Sequence, residues 1–185
     1  YEQAFEYYEQ AAQQGDASAM FYLGLMYYEG RGVEQSYEKA KEYYEQAARL
    51  GDANAQYNLG LMYSDGEGVV QSYEKARELY ELAAQQDNNS AMFNLGILYI
   101  AGDGGEQDIT RARTLFTKAL ELGSKSAIAA LKHCDGVERE AASRDPTAIV
   151  CSLCGLPETE TRNFSKTKCP CKSTWYCNTT CQKKH

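Results

Sequence analysis

Ala19-Met-Phe-Tyr-Leu23-Gly24-Leu-Met-Tyr27-Tyr-Glu-Gly30-Arg31-Gly32-Val33, then Ser36-Tyr-Glu-Lys-Ala40-Lys-Glu-Tyr43-Tyr44-Glu-Gln-Ala47-Ala48-Arg-Leu-Gly51-Asp52, is the stretch whose reading decides the fold. It contains two helices. Ala19, Leu23 and Tyr27 are spaced by four, which stacks them on one helical face. Gly30-Arg31-Gly32 ends that helix, because glycine tolerates the left-handed geometry of a helix C-terminus. Ser36 has the chemistry of an N-cap for a second helix, which turns Ala40, Tyr43, Tyr44, Ala47 and Ala48 toward its neighbours. Gly51-Asp52 closes it.

The same text returns every 36 residues. Ala19 recurs as Ala55, Ala91 and Ala127; Leu23-Gly24 recurs as Leu59-Gly60 and Leu95-Gly96, with Leu131 as a last echo. Tyr27 recurs as Tyr63 and Tyr99, Ser36 as Ser72, and Ala40 as Ala76 and Ala112. Ala11, Ala47, Ala83 and Ala119 form one column, and Tyr8, Tyr44, Tyr80 and Phe116 an aromatic one. Full units are expected at 17–52, 53–88 and 89–124, with a half unit at 1–16 and a trailing helix near 125–134. One helix pair cannot bury its own apolar face, so the pairs must stack into an all-α solenoid.

Charge and cysteine content divide the chain. Residues 1–145 carry 13 basic and 24 acidic side chains, and residues 146–185 carry 6 and 2. Six of the seven cysteines lie between Cys151 and Cys181. A boundary is therefore expected at Asp145-Pro146, where proline also disfavours a continuing helix. Close cysteine pairs in one small segment read as metal ligands rather than disulfides and favour a reducing compartment, the cytosol or nucleus. No apolar run approaches the ~18–20 residues that cross a bilayer. The chain opens inside a helical pattern without Met, so both ends are expected to be cut from a longer protein.

The pattern Ala-x-x-x-Leu-Gly-x-x-Tyr, Gly-x-Gly-Val, Lys-Ala-x-x-x-Tyr-x-x-Ala-Ala resembles the Sel-one-like repeat. It is sharpest in 17–52 and 53–88 and weaker in the third unit, where Glu106 replaces valine and Gln86-Asp87 replaces a glycine turn. The resemblance implies a right-handed superhelix of helix pairs with a concave protein-binding face.

Beyond the boundary stand Cys151-x-x-Cys154, Cys169-Pro-Cys171 and Trp175-Tyr176-Cys177-x-x-x-Cys181-Gln182. A tail of ~40 residues buries too little apolar surface to fold unaided, and Zn²⁺ held by thiolates is the expected replacement for a core. The pattern resembles a MYND-type zinc finger. That resemblance implies a first zinc on Cys151, Cys154, Cys177 and Cys181. It implies a second zinc on Cys169 and Cys171 plus a histidine and a cysteine further on. The Cys-Pro-Cys pair is one residue tighter than the family's, and the chain stops at His185 before the family's histidine. The second site is therefore expected to be incomplete here.

No catalytic constellation is evident. His133 and Cys134 are adjacent, so they do not face each other on a helix, and no acid orients them. The Gly-x-Gly elements follow helices and are turns, not phosphate loops. An interaction scaffold, not an enzyme, is the expected function, with protein or peptide partners. Candidate contacts are Tyr22, Asn58 and Asn94, one column of the first helices, which either line a groove or tie neighbouring units together. By resemblance, Trp175, Tyr176 and Gln182 would contact a proline-containing extended peptide. A net +4 tail beside an acidic solenoid of net −11 argues against nucleic acid. The rival readings are a ubiquitin-ligase-like adaptor, or a regulatory part of an enzyme such as a methyltransferase whose catalytic domain lies elsewhere.

Overall fold

The computed structural model describes residues 1–144, with side chains through Arg139. Among the described residues there are eight α-helices and no strand: α1 (Glu2–Gln13), α2 (Ala17–Glu29), α3 (Tyr37–Arg49), α4 (Ala53–Asp65), α5 (Tyr73–Gln85), α6 (Asn89–Ala101), α7 (Ile109–Glu121) and α8 (Ser126–Arg144). Helices α2, α4 and α6 are the first helices of the three units, and α3, α5 and α7 the second. Each packs chiefly on its neighbours in the chain, within a unit more than between units. The all-α repeat solenoid is therefore the fold, while the finger expected at 146–185 lies outside the described residues. The chain divides into two units, Tyr1–Cys134 and Asp135–His185, and α8 begins in the first and ends in the second. This helix runs past its expected end because Asp135 to Arg144 is rich in helix formers, and Gly136 stands without the second glycine that stops the earlier first helices.

The helix starts follow the columns. Asp16, Asp52 and Asn88 accept the N–H of Ala19, Ala55 and Ala91 at 3.0, 2.8 and 2.9 Å. Ser36 and Ser72 cap α3 and α5 through Lys39 and Lys75, and Asp108 takes the same place on α7. Each cap satisfies an orphan N–H and contributes about 1 kcal/mol. The first helices end at Gly30, Gly66 and Gly102, all left-handed. The missing glycine at Gln86-Asp87 does not break its turn. Asp87 adopts φ 62° itself, and the Asn88 N–H still reaches the Ala83 carbonyl at 3.2 Å, as Asp52 reaches Ala47 at 3.0 Å.

The core is built from small residues facing large ones. Ala40, Ala47, Ala76, Ala83, Ala112 and Ala119 are wholly buried. Tyr44, Tyr80 and Phe116 cross from each second helix onto the glycine of its first helix. A Cβ at Gly24, Gly60 or Gly96 would stand 2.6, 2.6 or 2.5 Å from those rings. Met26, Met62 and Leu98 are also core. One set of ties escapes the hydrophobic columns. Gln35, Gln71 and Gln107 donate to the carbonyls of Tyr28, Ser64 and Ile100, stapling each loop to the end of its own first helix.

Candidate functional site

Two surfaces repeat along the array. The first is the solvent side of the first helices, where positions spaced i, i+4, i+7 and i+11 fall on one stripe. It reads Ser18, Tyr22, Leu25, Glu29 on α2; Asn54, Asn58, Leu61, Asp65 on α4; and Ser90, Asn94, Ile97, Ala101 on α6, all exposed or half-buried. Tyr22 and Ile97 are 43% and 45% exposed.

The expected contact column lies on this stripe, and two of its members also touch the neighbouring unit. Tyr22 stacks on Tyr8 at 5.0 Å and 17°. Asn94 lies beside the hydroxyls of Tyr57 and Tyr80. Asn58 has no hydrogen-bond partner among the described residues. The Tyr80 hydroxyl is buried, and its approach to Asn94 and Ser64 falls short of hydrogen-bond geometry. Burial pushes this phenol up to about 12, with Asn94 acting against the shift.

The second surface was not singled out from sequence. Successive second helices leave a groove between them, floored by the intervening first helix. Between α1 and α3 it holds about 400 Å³, with Glu9 on one wall, Met20, Leu23 and Tyr27 on the floor, and Glu42 and Tyr43 on the other wall. Between α5 and α7 it holds about 460 Å³, lined by Glu81, Met92, Leu95, Tyr99, Thr114 and Leu115. Each of these is the earlier residue shifted by two repeats. The middle groove, about 300 Å³, has Glu45, Gln56, Leu59 and Leu79 in the same places.

Cations sit over the floor tyrosines in every unit. Lys39 and Lys75 lie 4.9 Å from the Tyr27 and Tyr63 ring centres, and the Arg77 guanidinium lies 3.8 Å from that of Tyr99. In the third groove the Tyr99 hydroxyl donates to Glu81 at 2.9 Å and accepts from Arg111 at 3.1 Å. In the first groove Tyr43 stacks on Tyr27 at 5.7 Å and 9°. The Tyr43 phenol is raised first by burial, then by Tyr27, Glu9 and Glu42.

Cys134 is wholly buried in the core, while His133 is exposed. Among the described residues no group of three or more His, Cys, Asp or Glu side chains is placed to hold a metal ion. The expected zinc ligands Cys151, Cys154, Cys169, Cys171, Cys177 and Cys181 lie outside the described residues, as do Trp175, Tyr176 and Gln182. No described helix is long and apolar enough to cross a membrane.

The Sel1 repeat family model matches residues 1–16, 17–52, 53–88 and 89–124, seen here as the single helix α1 followed by three helix pairs. A Sel1 repeat protein from Oxalobacter formigenes is 34% identical with a TM-score of 0.68, over 71% of this chain and 54% of its own. The protective antigen c5321 of uropathogenic Escherichia coli strains, described as an SLR fold, is 38% identical with a TM-score of 0.66, over 68% of this chain and 27% of its own. Helicobacter pylori cysteine rich protein B is 26% identical with a TM-score of 0.56, over 70% of this chain and 92% of its own. The chain thus spans about half the Oxalobacter protein and about a quarter of c5321. No curated protein matches it.

Proposed function

The chain belongs to the Sel1 repeat family, and from that premise we propose that it is a non-catalytic scaffold holding protein partners on the stripe of its first helices. Sel1 repeat proteins generally serve as protein–protein interaction scaffolds, and a stacked array supplies the extended face such binding uses. The observation that carries the reading is the composition of the stripe. Leu25, Leu61 and Ile97 offer apolar contact at one-unit intervals, and Asn58 offers a side-chain amide with no hydrogen-bond partner among the described residues. An apolar anchor beside an unpaired amide suits a peptide, whose side chains and backbone need both.

The test uses the full chain. Asn58→Arg and Ile97→Arg are each expected to abolish capture of protein partners. Val70→Arg, in a loop where the side chain is 89% exposed, is expected to leave capture unchanged. Equal capture by all three would remove this stripe from the function.

The segment 146–185 is the second half of the proposal. Six thiols in three close pairs form a soft donor set of the kind that holds structural zinc, which would supply the cross-link that a short chain's core cannot. Cys151, Cys154, Cys177 and Cys181 would make one complete site, with Cys169 and Cys171 contributing to another. Such thiolates persist in a reducing compartment, the cytosol or nucleus. Trp175, Tyr176 and Gln182 would then present a face to a peptide, proline-containing by resemblance to MYND-type fingers. Native mass spectrometry is expected to show one zinc, lost with Cys151→Ser and kept with Cys169→Ser. Cysteines found oxidised in pairs without zinc would overturn this half and leave the solenoid's role standing.

A further inference from the structure

The three grooves between second helices share one backbone and differ in charge. The first has two carboxylates, Glu9 and Glu42, against one ammonium, Lys39. The middle one balances Glu45 with Arg49. The third has one carboxylate, Glu81, against Arg111 and Lys118. In the third groove these charges are already engaged. Lys118 pairs with Asp87 at 2.7 Å, and Glu81, Tyr99 and Arg111 form one hydrogen-bonded chain across it. In the first groove neither Glu9 nor Glu42 has an ion-pair partner among the described residues, and Lys39 is spent over the Tyr27 ring.

A floor tyrosine accepts a cation on its face, as the Arg77 guanidinium on Tyr99 shows. Two repeats earlier the position of Arg77 is Phe5, which meets Tyr27 edge-on at 5.8 Å and brings no charge. We propose that the first groove is a docking site for a basic side chain, arginine or lysine, from an extended segment of a protein partner. Met20, Leu23 and the stacked rings of Tyr27 and Tyr43 receive the aliphatic stem, and Glu9 and Glu42 on opposite walls receive the cationic head. Charge complementarity selects this occupant. Residues 1–72 carry twelve acidic side chains and four basic ones, a field that attracts a basic partner to this end of the array. The site rests on the scaffold reading and adds to it a surface separate from the first-helix stripe.

The probe is a capped, fluorescein-labelled octapeptide of alternating Leu and Arg, titrated with the full chain at about 0.15 M salt to screen diffuse attraction. Glu9→Gln with Glu42→Gln is expected to weaken binding about tenfold or more. Glu2→Gln with Glu6→Gln removes the same charge from the exposed side of α1 and is expected to change binding less than about twofold. The Met20 methyl resonance should shift on titration, and an alternating Leu–Glu peptide should not bind. Equal weakening by both pairs of substitutions, or no binding of the Leu–Arg probe, overturns the inference. If partners are still captured through Asn58 and Ile97 in that case, the scaffold reading survives; if capture also fails, both fall.

Discussion

Gly60→Ala and Gly136→Ala are the same change in the same kind of structure, and the packing gives them opposite signs. In a helix interior alanine is favoured over glycine by about 1 kcal/mol, because glycine loses more backbone freedom on folding. Gly136 lies inside α8 with nothing among the described residues within 4 Å of an added Cβ, so that gain is realised. At Gly60 the new Cβ would stand 2.6 and 2.8 Å from two ring carbons of Tyr80, roughly 1 Å inside ordinary contact. The ring is 1% exposed and lies 5.9 Å from Tyr57, so it cannot swing aside. Helix α4 must move off α5, which places the cost in the upper part of the ~1–3 kcal/mol range for overpacking. Net of propensity, Gly60→Ala is expected to destabilise by ~1–2 kcal/mol, and Gly136→Ala to stabilise α8 by ~0.5–1 kcal/mol. Urea unfolding followed by circular dichroism reads the first. Because repeat arrays can open unit by unit, amide exchange should place the loss in α4 and α5 and the gain in α8. Tyr80→Leu combined with Gly60→Ala should cost about 1 kcal/mol less than the two separate losses together, since the smaller side chain removes the collision. Stabilisation at Gly60 would refute the reasoning. It would mean that glycine is not there to admit the ring, and that the spacing of α4 on α5, which sets where Asn58 and Leu61 stand, has another cause.

The remaining expectations concern single ties. Tyr80→Phe deletes a buried hydroxyl without a partner and should be neutral or stabilising by up to ~1 kcal/mol in urea unfolding, as Phe116 already is at the matching position of the next unit. The folded phenol of Tyr80 holds its proton up to about 12, above its unfolded range near 10, so between these values the native state binds more protons and stability falls as pH rises. Tyr28 and Tyr44 are raised in the same direction, mainly by burial, and Tyr80→Phe should make the alkaline loss shallower in a pH titration of the unfolding midpoint. Asp87→Gly relieves a left-handed backbone at the cost of an exposed ion pair with Lys118, and should stabilise by ~0.5–1 kcal/mol in thermal unfolding. Gln71→Ala loses the bonds to the Ser64 carbonyl and the Tyr73 hydroxyl; it should destabilise by about 1 kcal/mol and speed amide exchange in the loop between α4 and α5.

The fold was legible wherever one column settles a residue's role by itself. Alanine at 40, 76 and 112 can only be close packing, serine at 36 and 72 a cap, and glycine after a first helix a stop. The less legible features involve partners on different helices. The Gln35, Gln71 and Gln107 column has the same period as the alanines, but a polar column does not announce whether it faces water or a carbonyl seven residues back. The Asn column is ambiguous for a physical reason, since Asn94 both lies on the stripe and meets Tyr57 of the preceding unit. Residues 146–185, read from their thiols, charge and the Trp175, Tyr176 and Gln182 pattern, lie outside the described residues.

The grooves were missed for a different reason. A search for repeats rewards columns that hold and discards those that break, yet the broken columns differentiate one unit from the next. Glu42, Glu78 and Thr114 change charge at one wall position, as do Gln46, Leu82 and Lys118 at another. Along an array whose backbone repeats, a partner can find its register only from such differences, because a uniform array would accept the same segment at every unit. Glu9 and Glu42, without ion-pair partners among the described residues, distinguish the first groove from its copies. Substituting Thr114→Glu together with Arg77→Phe and Lys118→Gln transplants its charge pattern to the third groove. If register is read from these residues, the variant should bind the Leu–Arg probe with about two sites instead of one; unchanged stoichiometry would mean that the broken columns carry no positional information.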